Sequence, residues 1–439
     1  MIATDLWTDA WLDSMRLECD PAADAVVQSL YERGQVPLVN ELLDLLVHNR
    51  QPPPSALPVE VREYLHATAA LPPWADPARI RLGESTFRRY GVLSLASLLC
   101  ASLLECYVMR NGVHVLSLTT LLHKHTRRRL YETAQMVVRV MDRGGLDDNG
   151  AGIRTAQKVR LLHAAMRRLL EEDPTAATEA LQGKRSMGAL FARQRWNPAW
   201  GRPICQEDMA FTLLSFSFLV LRSLQRLGAP LDERERDAYL HCWRVTGYIL
   251  GVREELLPAT LADAEVLYER IYRRQKGGTP EGRELAERLI TTVADTLVEP
   301  LRYAARSVDA RLPRAARWLL RPLASDRSEA EVLAFARDFT VAVARHLLPP
   351  DAADMLGLEA ASLPMSVSLK GTVVVLRAFF ELPERFNDRF PAVHEALTAV
   401  GGRWVERLTR IDPDWHKSLF DLPPSLVAEW RAEADAGVT

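Results

Sequence analysis

The chain has 439 residues, 48% hydrophobic and 26% charged, an ordinary soluble balance with enough apolar side chains for a large core. Its 55 basic and 57 acidic residues leave a formal charge of −2, which excludes the basic footprint that nucleic-acid binding requires. Cys19, Cys100, Cys106, Cys205 and Cys242 form no CxxC pair and no disulfide-like spacing, so a reducing, cytoplasmic compartment is expected.

In chain order, the first residues carry early acids and no basic-then-apolar sequence, so no secretory signal is expected. Short helices follow, up to a proline-rich break at Gln51-Pro-Pro-Pro-Ser55 and a second at Leu71-Pro-Pro-Trp-Ala-Asp76. The stretch from Tyr90 to Met109 has the length of a bilayer span. It contains three serines and Glu105 and is flanked by Arg88, Arg89 and Arg110, so a buried core helix is predicted and no stable membrane span. Glu105, inside that stretch, is costly to bury unpaired, so it is expected to pair with an arginine or else to line a cavity, pairing being the commoner case.

Next come a helix through Arg127 to Met141, a loop at Arg143-Gly-Gly-Leu-Asp-Asp-Asn-Gly150, and a helix from Gly152 to about Leu170. A tryptophan-containing loop, Trp196 to Pro203, leads into an apolar helix over Asp208 to Leu227 that stops at Gly228-Ala-Pro230. The acids at its start, Gln206-Glu-Asp208, suit a helix N-terminus and hydrogen bonding between helices. A further helix covers Glu233 to about Gly251; Gly247 and Gly251, four apart, allow close approach of either another helix or a flat macrocycle. Amphipathic helices continue to about Leu348, and a looser C-terminal part follows. Thr372 to Leu376 is the nearest approach to a strand, and it is short. The expected fold is all-α, one large helical domain over 74–357 with helical extensions over 1–73 and 358–439.

The helix Val159-Arg-Leu-Leu-His-Ala-Ala-Met-Arg-Arg168 carries the most chemistry. At about 100° per residue, Arg160 and Arg167 fall within about 20° of each other, and His163 lies about 60° from Arg160. One imidazole thus shares a helix side with two guanidinium groups, among Leu161, Leu162, Ala164, Ala165 and Met166. A haem needs a neutral imidazole on its iron, apolar walls and arginines for its propionates. Nearby guanidinium charge opposes protonation of the ring and favours its metal-binding form. Taken by itself, the helix reads first as an ordinary amphipathic one, with a core or surface histidine and solvated arginines. The preceding helix places Arg129 and Thr133 four residues apart, on one face. His123 and His125 are spaced by two and point apart on a helix, a poor metal pair. The absence of HExxH, GxSxG, a Walker loop and a Gly-rich dinucleotide fingerprint removes the zinc-protease, hydrolase, P-loop and nicotinamide or flavin classes.

These residues together resemble the rubber oxygenase, or latex clearing protein, family, whose wider membership includes the fungal oxygenase that trims a prenyl side chain in mycophenolic acid biosynthesis. The signature R-x-x-x-T followed by R-x-x-H-x-x-x-R is matched by Arg129 and Thr133, then by Arg160, His163 and Arg167. The glycine loop before the histidine helix, Gly201-Arg-Pro-Ile-Cys-Gln-Glu-Asp208, and Trp243-Arg-Val-Thr-Gly247 through Leu257-Pro258 are similar too. The likeness runs from about Trp74 to about Gly357.

The resemblance implies a helical fold with a globin-like core, haem b held by His163, and O2 as co-substrate. It implies that Arg129, Thr133, Arg160 and Arg167 support the haem, the last two by meeting propionates or by holding the histidine helix. Rubber-cleaving members carry a lysine where this chain has Glu132, and a distal glutamate where counting back gives Val113. These departures point away from a rubber polymer and leave haem binding untouched. Glu132 becomes a candidate for moving protons beside bound oxygen, its ordinary alternative being a salt bridge to Arg128 or Arg129. The expected activity is a haem-dependent oxygenase acting on an apolar or unsaturated small molecule, with an electron-donor protein if one oxygen atom is inserted. Hydroxylation, dehydrogenation or rearrangement by a haem enzyme, a haem sensor or carrier, and a helical scaffold without cofactor remain open alternatives.

Overall fold

A computed structural model describes residues 6–34, 52–53, 55–120, 126–148, 150–171, 196–308 and 328–359. Thr372 to Leu376, His123 and His125 lie outside the described residues, as does the expected C-terminal extension from residue 360 onwards. Among the described residues the structure is helical, and a single isolated bridge, between Met109 and Lys276, is the sole β-type pairing.

The helices are α1 (Asp9–Met15), α2 (Pro21–Glu32), α3 (Val59–Ala67) and α4 (Pro77–Ser97), then α5 (Leu103–Tyr107), α6 (Val113–Thr120), α7 (Thr126–Met141) and α8 (Gly152–Glu171). After them come α9 (Gln206–Phe216), α10 (Phe218–Arg226), α11 (Glu233–Ile249), α12 (Leu261–Gln275), α13 (Pro280–Val308), α14 (Glu329–Leu347) and α15 (Pro350–Met355). Local sequence sets their starts. Asp20 and Asp76 cap helices whose first residue is proline, and Asp232 with Glu235 and Ser328 with Glu331 form reciprocal capping boxes.

The apolar stretch after Tyr90 is a core element. Tyr90 leaves helical geometry (φ −115°, ψ 15°), and Leu98–Ser102 form a π-turn before α5. Among the described residues no single helix is long and apolar enough to cross a membrane; Pro77–Gly91 and Leu93–Tyr107 reach that length only across a 79° bend. Leu93, Leu95, Leu98, Leu99 and Leu104 all lie in the main core.

The helix expected over 208–227 is two helices. Ser217 breaks it with φ −104° and ψ −84°, while its hydroxyl donates to the Leu213 carbonyl at 2.9 Å. A serine hydroxyl that competes for backbone acceptors in this way bends a helix that apolar periodicity alone reads as continuous.

Helix α4 packs against α11 so closely that a Cβ on Gly83 would lie 2.5 Å from Cys242 Sγ and 2.6 Å from the Ala238 carbonyl oxygen. Phe216 stacks on the fully buried Trp243 at 5.0 Å between centroids. Helix α8 touches α7, α2 and α11. A second, smaller apolar cluster joins α2 and α3 to α8, so the N-terminal residues are packed on the histidine helix. All five cysteines are free and buried, and burial pushes the Cys100 and Cys106 thiols up to about 12.

Candidate functional site

Helix α8 has two apolar faces with a polar row between them. Ile153, Ala156 and Val159 enter the main core, whereas Leu161 and Ala164 pack with Val26, Leu30, Val61 and Tyr64. At about 100° per residue, His163 falls about 40° from both Val159 and Arg167, at the edge of the main-core face.

Both flanking arginines are held by acids of the N-terminal segment. Arg160 grips Asp20 with two nitrogens: Nη2 donates to Oδ1 at 2.8 Å and Nε donates to Oδ2. Its Nη1 donates to the Ile249 carbonyl at 3.2 Å. Desolvation alone would lower the Arg160 pKa; the hydrogen bonds and charge of Asp20 outweigh it and raise it. Arg167 Nε donates to Asp24 Oδ1 at 2.8 Å, with Nη2 2.7 Å from the same oxygen, and Nη1 donates to the Ile204 carbonyl at 3.4 Å. Ile204 has φ 52°, the left-handed region that a β-branched residue rarely enters, at a cost of about 1–3 kcal/mol. Backbone bonds on either side hold it there, Arg202 N–H to the Arg16 carbonyl and Gln206 N–H to the Glu18 carbonyl.

Gly251 closes this polar layer. It has φ 82°, and a Cβ on it would lie 2.6 Å from Arg160 Nε and from Asp20 Oδ2. Gly247 instead meets Leu213 and Leu257, with a virtual Cβ 2.4 and 2.7 Å from their methyl carbons. Among the described residues, then, side chains account for the close approach at both glycines. Further along α8, Arg154 donates to Gln157, whose amide donates to the Leu65 carbonyl at 2.8 Å and to Thr68 Oγ1 at 2.7 Å.

His163 keeps some accessible surface, yet its ring lies deep among protein atoms. Burial first, and then the Arg167 charge, push its pKa down to about 4 against the opposing pull of Asp20, so the imidazole is neutral at pH 7. Its Nδ1 is buried and has no hydrogen-bond partner among the described residues. A buried ring nitrogen left without a partner usually costs about 1–3 kcal/mol. Here it belongs to the side chain that the sequence singled out.

Glu132 and Thr133 are half-buried on α7, the helix packed beside α8. Arg129 lies on the same helix, and its side chain is outside the described residues. The loop joining α7 to α8 is pinned from α4, where the buried Glu84 accepts from the Gly144 N–H at 3.1 Å. Burial pushes the Glu84 carboxyl up. Val113, where counting back placed a distal acid in relatives, is fully buried at the start of α6.

The other acids have structural partners. Glu105 is buried against the Arg222 guanidinium and accepts from the Tyr268 hydroxyl at 2.7 Å. Glu207 joins Arg16, Arg274 and Gln275, at 3.0, 3.0 and 2.9 Å. Asp20 and Asp24 are the residues that sequence reasoning missed. Asp20-Pro21 reads as a helix cap, but no spacing signal links residue 20 to residue 160.

Among the described residues, no group of three or more His, Cys, Asp or Glu is placed to hold a metal ion. A lone neutral histidine is a poor site for a bare ion, which takes several protein ligands. It fits an iron whose equatorial donors come with a porphyrin.

The chain is similar to known proteins in sequence family and in fold. The model of the catalytic domain of the ER-bound oxygenase mpaB/B′ and rubber oxygenase matches residues 86–378. The rubber oxygenase of Streptomyces sp. (strain K30) is 29% identical over 286 residues, 63% of this chain and 63% of that protein. The chain thus aligns with a little under two thirds of that curated relative. A solved structure of latex clearing protein LCP in the closed state superposes with a TM-score of 0.65 at 24% identity, covering 93% of this chain and 95% of the other. That likeness is one of fold.

Proposed function

The chain belongs to the mpaB and rubber oxygenase catalytic-domain family, and on that premise we propose that it is a haem-b-dependent oxygenase acting on an apolar, unsaturated small molecule. The observation that carries the reading is His163: neutral, desolvated, with an orphaned ring nitrogen, on a helix tied to acids on either side of it. His163 would hold the iron, and the bound group would supply the activation of O2 that no amino-acid side chain provides.

The remaining chemistry is assigned to the chain. Asp20 and Asp24 occupy the Arg160 and Arg167 guanidinium groups, which favours helix anchoring over propionate pairing as their task. The apolar residues beside His163 on α8, Val159 and Met166, exclude water and suit a hydrocarbon substrate. On α7, Glu132 would hold or take a proton at its carboxylate oxygens, as in abstraction from an allylic carbon, and Thr133 would line the same side. Insertion of one oxygen atom would draw electrons from a donor protein; insertion of both would need none.

The test is reconstitution with haem followed by incubation with linear isoprenoid alkenes under 18O2. Labelled oxygen in the product is expected, and Glu132→Gln should slow turnover about 100-fold with unchanged haem absorbance. A stable haem complex that binds O2 and converts none of these alkenes would overturn the enzymatic reading.

A further inference from the structure

The family model begins at residue 86, yet the two arginines of the histidine motif find their counter-charges at residues 20 and 24. We propose that Asp20 and Asp24 are positioning residues for His163, so that the N-terminal helix α2 completes the site from outside the family's catalytic domain. The inference rests on the haem reading for its functional consequence and on geometry alone for the contact.

The geometry is paired. Asp20 caps α2 and Asp24 lies in its first turn, so the two carboxylates stand one turn apart. Arg160 and Arg167 stand two turns apart on α8, one on either side of His163 along the helix. Two bonded points restrain both the slide and the rotation of α8 against α2, which one point cannot do. Apolar contact between these helices accompanies the ion pairs. It consists of aliphatic side chains such as Ala23, Val26, Val27, Leu161 and Ala164, and it carries little directional preference of its own.

Each pair is also tied to the polypeptide behind it. Arg160 reaches the Ile249 carbonyl at the end of α11, and Gly251 leaves room for the Arg160–Asp20 pair. Arg167 reaches the carbonyl of the strained Ile204. The position of His163 is therefore fixed by α2, α11 and the 202–206 segment together. A planar bidentate contact like that of Arg160 is one that lysine cannot reproduce.

The test compares Asp20→Asn and Asp24→Asn with a control, Glu287→Gln, which removes an exposed ion pair to Arg337. Asparagine keeps a capping oxygen at position 20 while removing its charge, so helix α2 still starts there. The first readout is the 13Cε1–1H signal of His163 in the haem-free full-length protein, assigned by its loss in His163→Ala. It should shift or broaden in both asparagine variants and stay in place in the control, with unchanged circular dichroism throughout. Asp24→Glu, which keeps the charge, should restore most of the wild-type signal.

The second readout is the rate of haem transfer from the loaded protein to apomyoglobin. Release should be about tenfold faster in each asparagine variant, the size of effect usual for groups that orient a metal ligand. A His163 signal at its wild-type position in both variants overturns the inference, and so does an unchanged release rate from loaded protein. If the wild type takes up no haem, the proposed function fails on that ground and the resonance alone decides the positioning claim.

Discussion

Glu105 and Asp20 are both acids held by an arginine, in opposite surroundings. Glu105 is sealed in the main core, where Arg222 and the Tyr268 hydroxyl meet it and Phe211 and Phe218 pack on the Tyr268 ring. Burial pushes its carboxyl up and Arg222 pulls it down. Asp20 lies between helices whose apolar contact is made mostly of small aliphatic groups, and its partner Arg160 is one helical turn from His163. In the first place the core already fixes the helices, and the ion pair answers a carboxylate that burial would otherwise penalise. In the second the ion pairs themselves set the position of a helix. Damage to the first should therefore appear as lost stability, and damage to the second as a displaced histidine.

Glu105→Ala is expected to give the largest loss of stability, about 3–5 kcal/mol, because it strands the Arg222 charge in the core. Urea unfolding of the haem-free protein measures it. A loss near zero would mean that the Arg222 side chain escapes to water and that the pair is no part of the core. Gly251→Ala comes next, at about 2–3 kcal/mol, because alanine has to adopt φ 82° and push into the Arg160–Asp20 pair. Unlike Glu105→Ala, it should also shift the His163 resonance.

Acid should act on the histidines. The unfolded chain holds imidazoles near the usual value of 6.5, whereas folded His163 sits at about 4. Between these values the unfolded chain binds more protons, so stability is full above pH 6.5 and is lost as the pH falls towards 4. His241 adds to the same slope, since burial and nearby Arg79 and Arg244 push it down to about 4 as well. It has to stay neutral to accept the Asp76 backbone N–H at 2.9 Å. His163→Ala should flatten part of this acid slope in the haem-free protein, and an unchanged slope would show that the imidazole is not desolvated. The smallest effect belongs to Arg253→Ala, which breaks exposed pairs to Glu18 and Glu255 and should cost less than about 1 kcal/mol.

The sequence carried the local part of this architecture well. Apolar period and glycine punctuation placed α7 and α8 to within a residue, and helical spacing put Arg160 and Arg167 on one side beside His163. Burial cost left Glu105 with either an arginine partner or a cavity to line, and Arg222 supplies the first. What the sequence did not carry was contact between distant segments. Asp20 reads as a cap from its own neighbourhood, because the cap depends on the next three residues, while its pairing with Arg160 depends on the packing of two helices 140 residues apart. The break at Ser217 escaped for a related reason, since a hydroxyl that bonds backward leaves no trace in hydrophobic periodicity. Gly251 could be read as room for a helix or for a macrocycle, and only the position of Arg160 decides between them.

If His163 holds a haem iron, the absorbance spectrum of the purified protein depends on that one side chain. Wild type and His163→Ala would be purified side by side from cells grown with ample haem precursor. A Soret band is expected in the wild type, and its loss in the variant. A colourless wild type, or an iron porphyrin spectrum unaltered by the substitution, would contradict it.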